Sequence, residues 1–214
     1  MFRIVLTVVF ISLATVIIVI FIADLNFNLA QKSEKNYLWQ KAIAQYDLAV
    51  KLDPFNSEYL AGLAKFLYDI GPYHTDKILY LQRAESLYNS AIKLNPENAG
   101  YYLGLGKVQL AEGKSGLDNF KKAVENDPNG FFISYAVGYT GMGMWKDLNS
   151  KDREFILDRL KKVLELRPRL SKYIYPRVLK ITQDLKVLQE ITARDYKAQK
   201  ILYDFVMKNM KDNK

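Results

Sequence analysis

Two hydrophobic patterns divide the chain. Residues 4–22 read IVLTVVFISLATVIIVIFI, a run of 19 residues without charge, Pro or Gly, interrupted only by Thr7, Ser12 and Thr15. As a helix such a run rises about 28 Å at ~1.5 Å per residue, close to the hydrocarbon thickness of a bilayer. A soluble core helix keeps a polar stripe, and this run has none. The pattern predicts a single transmembrane helix within residues 1–23. A cleaved signal peptide has a shorter apolar core ending in small residues. Here the run ends Phe21-Ile22-Ala23-Asp24, so the anchor is expected to stay in the mature protein. The positive-inside count does not decide the orientation, since Arg3 precedes the run and Asp24, Lys32, Lys35 and Lys41 follow it. The short head favours an N-terminus in the cytoplasm and a periplasmic or extracytoplasmic soluble domain.

Beyond residue 23 the apolar positions recur at helical spacing and then recur again as a block. Ala42, Tyr46 and Ala49 precede Pro54 by twelve, eight and five residues; Ala84, Tyr88 and Ala91 stand in the same places before Pro96, and Gly116, Phe120 and Ala123 before Pro128. A looser copy before Pro168 has Ile156, Leu160 and Val163. Offsets of four and three put each trio on one helical face. The residue before each Pro is pushed out of the helical region, which ends that helix, and Pro is expected to open the next. Leu63-Ala64, Leu105-Gly106 and Val137-Gly138 follow the three Pro residues at a constant distance, with Gly71 and Gly113 in the following turns and Trp145 in the third.

This block resembles the tetratricopeptide repeat (TPR) family, whose unit is an antiparallel helix pair of about 34 residues. The resemblance covers residues 24–170 and implies an all-α, TPR-like helical-hairpin solenoid of about 3–4 repeats. The Pro-to-Pro spacings of 42, 32 and 40 residues place insertions near residues 72–81 and 146–153. The first repeat needs a first helix, and residues 25–36 supply it with no breaker after Ile22, so the membrane helix can run directly into the array. Residues 171–214 read as C-terminal capping helices: one over residues 171–191, and one opened by Thr192-Ala-Arg-Asp195, a capping-box variant.

Composition narrows the chemistry. With no Cys and one His, His74, there is no disulfide, thiolate nucleophile or histidine-rich metal site. No nucleotide-binding, metalloprotease or hydrolase motif occurs; Gly138-Tyr-Thr-Gly141 falls on a repeat helix, where Gly permits close packing. His74 reads as a surface residue of an inserted turn. The expectation is a non-enzymatic protein without cofactor.

The family resemblance implies protein–protein binding, with the first helix of each pair lining a concave face. By register that face holds Glu58, Ala61, Lys65, Tyr68 and Asp69, then Leu103, Lys107, Leu110 and Ala111, then Phe132, Tyr135, Tyr139 and Met142. The expected partner-binding groove is Lys65, Tyr68, Leu103, Lys107, Phe132, Tyr135, Tyr139 and Met142, whose aromatic and Met side chains suit an apolar or amphipathic segment. Residues 1–150 are charge-balanced, and residues 151–214 carry 17 Lys and Arg against 9 Asp and Glu, the whole net charge of +8. A basic patch of Arg159, Lys162, Arg167, Arg169 and Arg177 is expected to meet anionic lipid or an acidic partner surface, with 159, 162, 169 and 177 spaced to share one face. Nucleic acid is not expected, because no base-stacking motif accompanies the charge. The implied function is a membrane-anchored interaction scaffold, assembly factor or accessory subunit of a membrane protein complex. The alternative is a binding component of bacterial envelope biogenesis, such as polysaccharide export or cytochrome maturation. A stoichiometric complex favours the first, transient substrates the second.

Overall fold

The computed structural model describes residues 2–194 and 196–212. Among these there is no strand, and eleven α-helices follow one another: α1 (Phe2–Lys35), α2 (Trp39–Leu52), α3 (Ser57–Ile70), α4 (Lys77–Leu94), α5 (Ala99–Ala111), α6 (Leu117–Asn126), α7 (Phe131–Gly141), α8 (Ser150–Leu166), α9 (Ser171–Thr182), α10 (Leu185–Ile191) and α11 (Tyr196–Asp212). The chain divides into two compact units, Met1–Gly116 and Leu117–Lys214.

In the first unit α1 is one helix of 34 residues that joins the apolar run to the repeat array without a break. Phe10, Ile17 and Phe21 stand exposed along its apolar half. From Ala23 onward one stripe turns inward: Ala23, Ala30 and Ser33 are buried against the helices that follow. Ser33 Oγ donates to Gln45 Oε1 at 2.7 Å, and Tyr46 OH donates to Glu34 Oε2 at 2.8 Å, locking α1 to α2. Phe27 packs edge-on against Tyr46 and beside Tyr59 of α3.

The residues that define the repeat are the ones that pack. Ala42, Ala49, Ala84, Ala91, Phe120, Ala123, Ile156, Leu160 and Val163 have no exposed surface, and Tyr46 and Tyr88 are buried beside them. A Cβ on Gly116 would collide with the Gly106 carbonyl oxygen, so the backbone approach there admits only hydrogen. The α-helices after Pro54, Pro96 and Pro128 begin three residues later than the Pro itself, and an Asn caps the first two. Asn56 Oδ1 accepts from the amides of Glu58 and Tyr59, and Asn98 Oδ1 from that of Gly100.

The second unit buries α7 against α8 through glycines: a Cβ on Gly138 would meet Leu160, and one on Gly141 would meet Ile156. Its C-terminal helices differ from the sequence reading in two places. Residues 171–191 form α9 and α10, divided at Gln183, whose φ of 54° is left-handed, with Asp184 capping α10 through Lys186 N at 2.8 Å. Thr192 does not cap the last helix. Its hydroxyl is held by Leu188 O at 2.6 Å and by Tyr175 OH at 2.7 Å, a buried polar pair under α9, while Asp195 lies outside the described residues.

Candidate functional site: two faces of the repeat helices

In the first unit, Lys65, Tyr68 and Lys107 project from α3 and α5 near Glu34 of α1 and Asp69 of α3. Lys65 Nζ lies 2.7 Å from Asp69 and 3.8 Å from Glu34. Partial burial pulls the Lys65 pKa down, but Asp69 and Glu34 outweigh it and hold the value above normal. Lys107 is half-buried and forms no salt bridge among the described residues, so desolvation lowers its pKa, with Lys65 adding and Asp69 opposing. Burial, then the Asp69 charge, raises the Tyr68 phenol. The result is a face with one neutralised lysine and one poorly solvated cation suited to a carboxylate. Leu103 does not belong to it. That side chain is 3% exposed, because α5 buries opposite sides, Leu103 as well as Leu105 and Val108.

His74 keeps part of its surface but is not a free surface side chain. It is half-buried in an aromatic stack, 4.7 Å from the Tyr80 ring and 5.7 Å from Trp39. Beside it an open cleft of about 620 Å³ is lined by Glu34, Tyr37, Trp39, Asp69 and Tyr73, so the insertion after α3 adds an aromatic wall to this unit.

In the second unit α7 carries an aromatic ladder. Phe131, Tyr135 and Tyr139 are four residues apart and stack along the helix, with centroids at 6.4 Å and 5.5 Å and planes within 11° and 22°. An arginine closes each end: Arg167 lies 4.1 Å from the centre of the Phe131 ring, and Arg177 4.3 Å from that of Tyr139. Arg177 Nε also donates to Tyr139 O at 3.1 Å, which fixes the guanidinium. Stacked this way an arginine keeps most of its donor edge free for a carboxylate. Tyr135, Tyr139, Arg167 and Arg177 are thus brought together although the sequence placed them in two separate features. Phe131 was missed; the period-four spacing of 131, 135 and 139 was the available signal. Phe132 is 65% exposed on a neighbouring strip of α7.

Two expectations fail here. Met142 is 1% exposed, because the α-helix ends at Gly141 and a 3₁₀ turn from Met142 to Asp147 carries its side chain inward, out of the α7 register. The basic residues do not share one helical face, because Pro168 ends α8 and helical spacing cannot run from 159 or 162 to 169 and 177. Arg159 is largely buried and paired with Asp158. Lys162 Nζ is held by Pro128 O at 2.6 Å and Asn129 Oδ1 at 3.0 Å, tying α8 to the turn before α7. Arg169 stands exposed in the intervening turn. Among the described residues no group of three or more His, Cys, Asp and Glu could hold a metal ion.

No family model and no curated protein matches the chain. Solved structures do. MamA aligns with a TM-score of 0.57 at 20% identity, covering 85% of this chain and 96% of its own. TTC0263, a thermophilic TPR protein of Thermus thermophilus, aligns at 0.57 and 19% identity over 75% of this chain and 80% of its own. The fold is the tetratricopeptide repeat fold. YrrB, described as a TPR protein with an unusual peptide-binding site, superposes at 0.52 and 18% identity over 81% of this chain and 87% of its own. At these identities the likeness concerns the TPR fold alone. Among the described residues one helix, α1, is long and apolar enough to cross a membrane, with a mean hydropathy of 2.4 in its apolar window.

Proposed function

We propose that this chain is a membrane-anchored scaffold that holds another protein of a membrane complex, as an assembly factor or accessory subunit. The observation that carries this reading is the continuity of α1: its apolar half has the length of a bilayer span and its C-terminal half is the first helix of the array. The array is thereby tethered to the bilayer through a rigid rod rather than a linker. Thr15 Oγ1 inside the run donates to Ile11 O at 2.9 Å, so that hydroxyl is satisfied within the helix, as a lipid environment requires.

The partner surface in this reading is the arginine-capped ladder of α7, with Phe132 beside it; Lys65, Tyr68 and Lys107 are a separate polar contact on the first unit. Three stacked rings bury much apolar area at little entropic cost, and Arg167 and Arg177 select an acidic neighbour. In this reading the array lies on the extracytoplasmic side. The test is purification of the full chain in mild detergent. A stoichiometric membrane partner that is lost in the Tyr135→Ala/Tyr139→Ala variant supports the reading. Release of the chain from membranes by alkaline carbonate, or an intact mass showing loss of residues 1–23, overturns the anchor. Protection of the array from protease in spheroplasts, with any outer membrane opened, overturns the orientation.

A further inference from the structure

The α2–α3 turn ends at the depth where the apolar run ends. Helix α2 has 14 residues and returns antiparallel beside α1, and counting 14 residues back from Lys35 reaches Ile22. The packing agrees: Ala23 is buried in one cluster with Ala49 and Tyr59, and Tyr59 OH donates to Asp24 Oδ1 at 3.4 Å. The turn that joins α2 to α3 therefore stands level with the last turn of the apolar run. At its tip the Phe55 ring is 81% exposed, and Lys51 is exposed one turn earlier on α2. An aromatic ring and a snorkelling lysine at that depth are what the lipid–water boundary selects.

We propose that the α2–α3 turn is a second membrane contact, with Phe55 inserted at the headgroup boundary of the bilayer that α1 crosses. The occupant of this apolar tip follows from the continuity of α1, so the inference rests on the anchor reading above. Two contacts on one rigid hairpin would fix the tilt of the first unit, where α1 alone would leave it free to rotate about its axis.

The chain has no native Cys, which makes single-cysteine labelling clean. The full chain is reconstituted in phosphatidylcholine vesicles with an environment-sensitive fluorophore on Ile17→Cys, Phe55→Cys or Tyr37→Cys, and a spin-labelled lipid is added as quencher. Ile17 reports the span; Tyr37 is as exposed as Phe55 and lies about 30 Å beyond Ile17 along α1 and its turn. Lipid quenching and a blue shift at 17 and 55, absent at 37, are the expected result. Quenching at 17 with position 55 indistinguishable from 37 overturns the second contact and leaves the anchor standing. No quenching at 17 overturns both. All three sites are exposed, and each labelled chain is required to keep the circular dichroism of the unlabelled one.

Discussion

Small side chains hold this array together, and their size is what the repeat conserves along the chain. Ala91 has no exposed surface and belongs to the buried core of the first unit, with Tyr88 one turn before it on α4. Ala91→Leu adds volume that α4 can accommodate only by moving, and is expected to cost about 1–3 kcal/mol in thermal or urea unfolding of the full chain in detergent. A polar residue gives a pH-dependent counterpart. Glu85 accepts from Lys114 Nζ at 2.9 Å and Gln109 Nε2 at 3.1 Å, bracing α4 against the end of α5. Lys114 holds the Glu85 pKa below normal, against the opposing effect of burial, with Gln109 helping. A carboxylate depressed in the folded state contributes stability above its unfolded pKa and loses it as pH falls through the folded value. The melting temperature is therefore expected to fall below the ordinary glutamate range of about 4. Glu85→Gln should start lower at neutral pH and fall less, and parallel profiles for the two proteins would remove Glu85 from the explanation.

At the scale of the element, α7 has two jobs on two strips. Ile133, Ala136, Val137 and Gly138 are buried in the core, while Phe131, Tyr135 and Tyr139 stack half-buried along another strip. Tyr135→Ala with Tyr139→Ala is expected to weaken partner binding by about 1–2 kcal/mol, roughly five- to thirty-fold. Helical content measured by circular dichroism should change little, because the buried strip is untouched. Arg177→Lys keeps the charge but loses the planar stacking, so it should reduce affinity without altering the melting temperature by more than a degree or so; an unchanged affinity would make the ladder a packing feature of this unit. The helix existed in the sequence pattern, and Tyr135 and Tyr139 were placed on its outer strip. Arg167 and Arg177 could not be placed on it, since they come from beyond a helix break, and only the folded path of α8 and α9 carries them to its two ends.

For the molecule as a whole, the proposed anchor makes α1 the mechanical link between membrane and array. Inserting four Gly and Ser residues between Ile22 and Ala23 should leave carbonate-resistant membrane association intact but uncouple the array, so that a spin label at position 55 tumbles faster and loses its contact with lipid. Unchanged mobility would mean that the array is held at the membrane by something other than this helix. The amino-acid sequence by itself determined the apolar span, the number and order of the repeat helices, and the residues that pack between them, because all of these follow from spacing along one helix and from breakers next to it in the chain. It did not determine which outward positions stay outward. Leu103 and Met142 satisfied the helical register yet are buried, one because α5 is covered on opposite sides and the other because a 3₁₀ turn replaces the helix at Met142. The stack around His74, the division of the C-terminal helix at Gln183 and the meeting of two arginines with one ladder of rings are equally tertiary. Each joins residues separated by turns or by helix ends, where the direction of the chain is set by packing between helices rather than by periodicity within one.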